Sequence, residues 1–309
     1  MRIAFMGTPD FSVECLKALV SSKHEVVGVF CQPDKPVGRK QILTPPNVKV
    51  EALKHDLPVF QPVSLRNGKG VEILEQIKPE LVVVVAYGKI LPSDFLSYPV
   101  HGCINVHASI LPKYRGASPI HYAVLNGDDV TGVTVQQMDE GIDTGDILNI
   151  KECRIGINDT TEHMYEVLAP LGAEAMIETI ELIENGKLNP VKQDETKASH
   201  VGLLTKEMSK IDWTSTAREI HNKIRGLYSW PGASTVFNGK TLKIHSSVMS
   251  DIKGNNNPGE VVDCTDKIVV CCGDNNCIEL KEIQLEGKKR TDAASFLNGY
   301  SVEKGTILG

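Results

Sequence analysis

The sequence predicts an α/β protein in two parts: an open sheet domain rich in parallel strands, then a small β-barrel domain. Three observations carry this. The chain opens as strand, helix, strand: an apolar run from Arg2 to Met6 ends at Gly7, Val13, Leu16 and Val20 form one helical stripe, and Val26-Val27-Gly28-Val29-Phe30 follows. Leu81-Val-Val-Val-Val-Ala86 is an unbroken apolar run, the pattern of a central parallel strand covered on both faces. Late in the chain come short strands separated by turn signals, among them the Asn238-Gly239 pair suited to a two-residue hairpin. At 309 residues two domains are expected, with the sheet domain over 1–187, a linker over 188–207 and the barrel domain over 208–309.

In chain order, Thr8 and Pro9 suit an N-cap and a first helical turn. A dinucleotide fingerprint is missing there, because Gly7 is a single glycine and Pro9 has no N–H for a phosphate. Gln32 to Pro46 holds four prolines and little periodicity, which marks a long loop. A short helix over Asn47 to His55, an extended stretch over Leu57 to Val63 and an amphipathic helix over Lys69 to Ile77 follow. Tyr87 to Pro92 turns away from the carboxyl end of the central strand, the rim where open α/β sheets keep ligands. Gly132 to Gln136 and Asp146 to Ile150 read as strands. Asp159-Thr-Thr-Glu162 caps a long helix with a buried stripe of Met164, Leu168, Leu171 and Ala175, kinked at Pro170 and ended by Asn185-Gly186. Leu188 to Leu203 has Pro190, several charges and no period, hence the linker. Then come a helix near Thr214 to Arg225, the Ser234 to His245 hairpin, and strands at Val261 to Val262, Ile268 to Cys272 and Cys277 to Gln284. Trp213 and Trp230 are expected in the core rather than as base-stacking platforms.

The formal charge is −6, with 17 Lys+Arg against 24 Asp+Glu in residues 1–189 and 16 against 15 in 190–309, so the acidity sits in the first part. That balance excludes a protein that coats nucleic acid indiscriminately and leaves room for a local basic face. No run approaches the roughly 18 apolar residues of a membrane helix, and Met1 to Met6 is too short for a signal-peptide core. A cytoplasmic, monomeric protein without membrane contact is expected. Eight cysteines without a Cys-x-x-Cys pair read as reduced and buried, and no metal is expected.

The stretch from Cys103 to Asp146 gathers the most chemistry. Asn105 and His107 alternate with Ile104 and Val106, so both point to one face of a strand. Gly141 and Gly145 bracket Asp143 in a segment able to turn sharply and return a carboxylate to the imidazole. Such a trio suits attack on a carbonyl: Asn105 and a charged His107 donate to the developing oxyanion, while Asp143 fixes the tautomer and relays a proton. Taken one by one, Asn105 and Asp143 also read as turn or cap residues and His107 as a hydrogen-bonded core histidine.

Asn105-Val-His107-Ala-Ser109-Ile-Leu-Pro112-Lys-Tyr-Arg-Gly116-Ala-Ser-Pro119-Ile resembles the signature of the formyltransferases that use 10-formyltetrahydrofolate. Asp139-Glu-Gly-Ile-Asp143-Thr-Gly-Asp146 resembles its second half. With Gly7-Thr-Pro-Asp-Phe11, Gln32 to Arg39 and Ile211-Asp-Trp213, the likeness runs close to end to end and is greatest to the members that formylate methionyl initiator tRNA. The resemblance implies a Rossmann-like first domain and an OB-like barrel, and Asn105, His107 and Asp143 as catalytic residues. It places folate on Ser109, Ile110, Leu111 and Pro112, and the acceptor end of the RNA at Arg39, the position of the family's key arginine. The implied reaction is formyl transfer from 10-formyltetrahydrofolate to methionyl initiator tRNA for translation initiation. Formylation of an amino sugar nucleotide or other small amine, hydrolysis of the formyl folate, and a non-catalytic nucleotide- or tRNA-binding module are the alternatives.

Overall fold

The structure, a computed structural model, describes residues 1–38, 40–254 and 257–309. The first half of the chain forms β1 (Arg2–Gly7), α1 (Phe11–Val20), β2 (Glu25–Phe30), β3 (Lys35–Val37), β4 (Ile42–Thr44), α2 (Asn47–Lys54), β5 (Val59–Phe60), α3 (Lys69–Ile77), β6 (Leu81–Val85), α4 (Ser93–Leu96), β7 (Cys103–His107), β8 (Arg115–Gly116), α5 (Pro119–Leu125), β9 (Val130–Gln137) and β10 (Ile147–Arg154). The second half forms α6 (Thr161–Glu184), β11 (His200–Val201), α7 (Ala217–Gly226), β12 (Ala233–Phe237), β13 (Lys240–Lys253), β14 (Val261–Asp263), β15 (Ile268–Cys271), β16 (Asn276–Leu285), β17 (Thr291–Asp292) and α8 (Ala293–Gly299). Two compact units result. The first comprises Met1–Gly116, Thr131–Cys153 and Tyr165–Val201, the second Ala117–Val130, Arg154–Met164 and Gly202–Gly309.

The first unit is a Rossmann-like α/β unit on a seven-stranded sheet of order β10-β9-β7-β6-β1-β2-β5. β1 pairs in parallel with β2 and β6, β6 with β7, and β2 with β5, while β7 meets β9 antiparallel. All five residues of β6 are buried, as a strand covered on both faces requires. Ala4, Met6, Val82 and Val84 pack on one face with Leu74 and Phe95, while Ile3, Phe5, Val83 and Val85 on the other face are equally inaccessible. Each such side chain contributes about 2 kcal/mol, so this block fixes where β6 and β7 end. Ser12 in α1 donates its hydroxyl to the Val85 carbonyl at 2.6 Å, pinning the helix to that end. α6 runs through Pro170 as one helix, with Met164, Leu168 and Ala175 fully buried and Leu171 only partly so.

The Gln32 to Pro46 stretch, read as a loop, contains the β3–β4 hairpin, whose Val37, Ile42 and Leu43 are exposed. No sequence period reveals a hairpin with both faces in solvent. The stretch read as a linker runs along the first unit as far as Val201: Val191 bridges Ile147, and β11 pairs in parallel with β8.

The second unit is a small β domain of antiparallel strands, ordered β12-β13-β16-β15-β14 with β17 on β16, packed with α5, α7 and α8. The β12–β13 hairpin closes through Asn238 and Gly239, both at positive φ. α7 opens with a capping box between Thr216 and Glu219. Trp213 is buried and donates Nε1–H to Thr235 at 3.0 Å. Trp230 corrects the core expectation: it is 48% exposed, because it lies in the turn after α7, outside any element with an inward face. Of the cysteines, Cys153 and Cys264 are only partly buried.

Candidate active site

β7 presents Asn105 and His107 on the same face, and the register adds two polar neighbours. Asn105 lies opposite Gln136 of β9, and His107 opposite Thr134. The face therefore carries a block of four polar side chains at the carboxyl end of β7.

Asp143 returns to this block from the loop between β9 and β10. Its φ is 56°, a left-handed conformation, and a Cβ on Gly145 would fall 1.6 Å from the Gln137 carbonyl oxygen, so the turn closes only with glycine there. The carboxylate is anchored by two short bonds: the Gly116 main-chain N–H donates to Oδ2 and Gln136 Nε2 to Oδ1, both at 2.8 Å. Asn105 Nδ2 and His107 Nδ1 stand further from the same Oδ1, at 3.4 and 3.5 Å. The two distances at the long end of hydrogen bonding leave these groups able to exchange Asp143 for another partner.

His107 is buried, and its Nε2 lies 2.9 Å from the Tyr114 carbonyl, an acceptor only, so Nε2 carries the proton. Nδ1 is left facing Asp143. The segment that supplies Tyr114 O and Gly116 N–H is itself bent, with positive φ at both residues (64° and 111°). A Cβ on Gly116 would meet the Val201 carbonyl oxygen at 2.3 Å.

The 109–112 loop is held from beneath. Thr134 accepts the Leu111 N–H at 3.0 Å and donates its hydroxyl to the Ser109 carbonyl at 2.7 Å. Ser109 Oγ donates to the Lys113 carbonyl at 2.5 Å, and Pro112, after a cis bond, offers its carbonyl to Ser199 N–H at 3.2 Å. Ser109 and Leu111 are buried, whereas Ile110 and Pro112 are partly exposed. Arg39 lies outside the described residues.

Sequence reasoning missed Thr134, Gln136 and Gln193. The first two were detectable: in Val133-Thr-Val-Gln136 polar residues alternate with valines, as they do in β7. Gln193, whose Nε2 donates to the main-chain carbonyls of Asp143 and Gly145 at 2.8 and 2.7 Å, sits in a stretch without periodicity and gave no signal. Gln136 Oε1 is buried without a hydrogen-bond partner. Among the described residues, no group of three or more His, Cys, Asp or Glu side chains is placed to hold a metal ion, and no helix is long and apolar enough to cross a membrane.

An amide, an imidazole and a carboxylate at the rim of such a sheet can stabilise a developing oxyanion and move a proton. The family profiles "Formyl transferase" and "Formyl transferase, C-terminal domain" match residues 1–180 and 203–301. The chain belongs to the formyl transferase family. Over the full length of both chains it is 45% identical to a methionyl-tRNA formyltransferase of Alkaliphilus oremlandii. It is 43% identical to that of Bacillus velezensis, covering all of this chain and 98% of the relative. Among solved structures it is similar in fold to an N-formyltransferase from Helicobacter canadensis in complex with folinic acid and dTDP-3-aminofucose, with TM-score 0.71 at 23% identity over 90% of this chain and 98% of that one.

Proposed function

We propose that this chain transfers the formyl group of 10-formyltetrahydrofolate to the α-amine of methionine on initiator tRNA. The observation that carries this reading is the 45% identity, end to end, with a methionyl-tRNA formyltransferase. Asn105, His107 and Asp143 are the residues we assign to the chemistry. The amine attacks the formyl carbon, the new C–N bond replaces the bond to the folate nitrogen, and the proton lost by the amine ends on that nitrogen. Asn105, half-buried and held at 3.4 Å by Asp143, turns its amide to the formyl oxygen as negative charge develops. His107, with Nε2 committed to Tyr114, acts through Nδ1: charged, it donates to that oxygen, and neutral, it takes up a proton. Asp143 balances the imidazolium and holds its orientation. The buried, unpartnered Gln136 Oε1 suits an incoming N–H, which fits an amine or a pterin edge. Ser109, Ile110, Leu111 and Pro112 are assigned to the folate, with Thr134 keeping their main chain rigid, and Arg39 to the RNA.

The test is single-turnover transfer from 10-formyltetrahydrofolate to charged initiator tRNA, to an amino sugar nucleotide and to water. Transfer to the RNA should be faster by orders of magnitude. Equal rates with the small amine would overturn the substrate assignment. Arg39→Ala should reduce formylation of charged initiator tRNA while sparing folate binding, whereas removing the chain beyond Leu188 should mainly weaken RNA binding and flatten its salt dependence.

A further inference from the structure

Two loops hold the opposite sides of the His107–Asp143 pair, and one strap ties both. The loop through Tyr114 and Gly116 holds His107 Nε2 and Asp143 Oδ2, and the second loop carries Asp143 itself. Gln193 bridges them with a fully used carboxamide. Its Nε2 donates to the Asp143 and Gly145 carbonyls at 2.8 and 2.7 Å, and its Oε1 accepts from Arg115 Nε and Nη2 at 3.0 and 2.9 Å. Arg115 in turn pairs with Glu195 through two bonds of 2.9 and 2.7 Å. The guanidinium side of this ion pair is 2% exposed and the carboxylate side 68%, so a buried cation on the loop is latched by an acid on the surface. Further along the strap, Ser199 accepts Arg115 N–H on its carbonyl at 2.8 Å and Tyr114 N–H on its hydroxyl at 2.9 Å, and β11 pairs with β8. Three residues at positive φ, Tyr114, Gly116 and Asp143, thus sit where the strap contacts the loops. For the two that carry a Cβ, Tyr114 and Asp143, such a conformation persists only where surrounding structure over-determines it.

We infer that residues 193–201 are a strap that positions the reacting pair, with Gln193 as a positioning residue for Asp143 and the Arg115–Glu195 ion pair as its latch. The inference rests on the role assigned above to Asp143. Gln193 acts through the main chain on which the carboxylate stands, because both of its N–H bonds go to the Asp143 and Gly145 carbonyls. An error of the order of 1 Å in such a placement lowers a rate by about a hundredfold.

The experiment uses full-chain variants at saturating charged initiator tRNA and 10-formyltetrahydrofolate. Gln193→Leu keeps the volume and removes the carboxamide, so single-turnover formylation should fall about ten- to a hundredfold while both KM values stay within about threefold. Glu195→Ala should lower the rate several-fold, and Glu195→Gln, which still accepts from the guanidinium, should restore most of it. Amide exchange at residues 113–118 and 140–146 should accelerate in Glu195→Ala, with that of β6 unchanged. Should Gln193→Leu fail to fold, the Glu195 pair and the exchange pattern decide. Parental turnover in Gln193→Leu, or unchanged exchange at both loops in Glu195→Ala, overturns the strap. If Asp143→Asn keeps the parental rate, the assignment of Asp143 fails instead, and exchange alone still decides whether the strap holds the loops.

Discussion

His107 in the first unit and His221 in the second are 6% and 1% exposed, and each directs Nε2 at a main-chain carbonyl, Tyr114 at 2.9 Å and Ile157 at 2.8 Å. They differ at Nδ1. His107 faces the Asp143 carboxylate at 3.5 Å, whereas His221 meets the Ser247 hydroxyl at 2.9 Å. Near His221 further polar groups are paired at short range: Asn222 accepts from Arg225 Nε at 2.9 Å, and Arg225 Nη1 donates to the carbonyls of Gly156 and Asp159. Burial pushes His221 below the ordinary histidine range, as it does Arg225, to about 10. Burial and an anchored nitrogen therefore do not mark a reactive histidine. What sets apart His107, the histidine assigned to the chemistry, is a second nitrogen held at long range beside a carboxylate.

The comparison breaks first at His107→Ala, which should slow the single-turnover step about a hundredfold or more with little change in folate affinity. A rate within a few-fold of the parent would place His107 with His221 as a structural residue. His221→Ala should invert the pattern, destabilising the fold by about 2 kcal/mol because the Ile157 carbonyl loses its donor. Its turnover per folded molecule should match the parent in a denaturant titration paired with the rate assay. Ser247→Ala removes only the partner of Nδ1 and should cost about 1 kcal/mol, seen in the same titration. The smallest effect is on pH dependence. Burial depresses His221, and pushes His121 from the ordinary 6.5 to about 4. For a histidine kept neutral by the fold, the unfolded chain binds the extra proton first, so its stabilisation is complete above about pH 6.5 and is lost as pH falls toward the folded value. Denaturation midpoints measured from pH 7 to 5 should fall accordingly, and less steeply in His221→Ala.

What the sequence revealed follows the range of the interactions involved. β6, the opening strand-helix-strand and the Asn238–Gly239 hairpin are local patterns and appear in the structure as read. Asn105 and His107 were placed on one face by alternation alone, and the return of Asp143 by its flanking glycines. Gln193 and Glu195 were illegible because a polar residue in a chain segment without period looks the same whether solvent or Arg115, 78 to 80 positions earlier, takes its hydrogen bonds. Trp230 misled for the opposite reason: its size argued for burial, and only its place in a turn exposes it.

The second unit draws on residues 117–130 and 154–164 as well as the end of the chain, and this has a consequence for synthesis. α5 packs against α7, closely enough that a Cβ on Gly226 would touch Leu125 at 2.7 Å. Ile120, Ala123 and Val124 leave the ribosome long before Ile220 and Ile224 are made. At about 5–20 residues per second they wait on the order of five to twenty seconds for their partners. During that interval the apolar side chains that α5 turns toward α7 have no α7 to cover them, so this part of the second unit closes only after the later stretch of chain has been made.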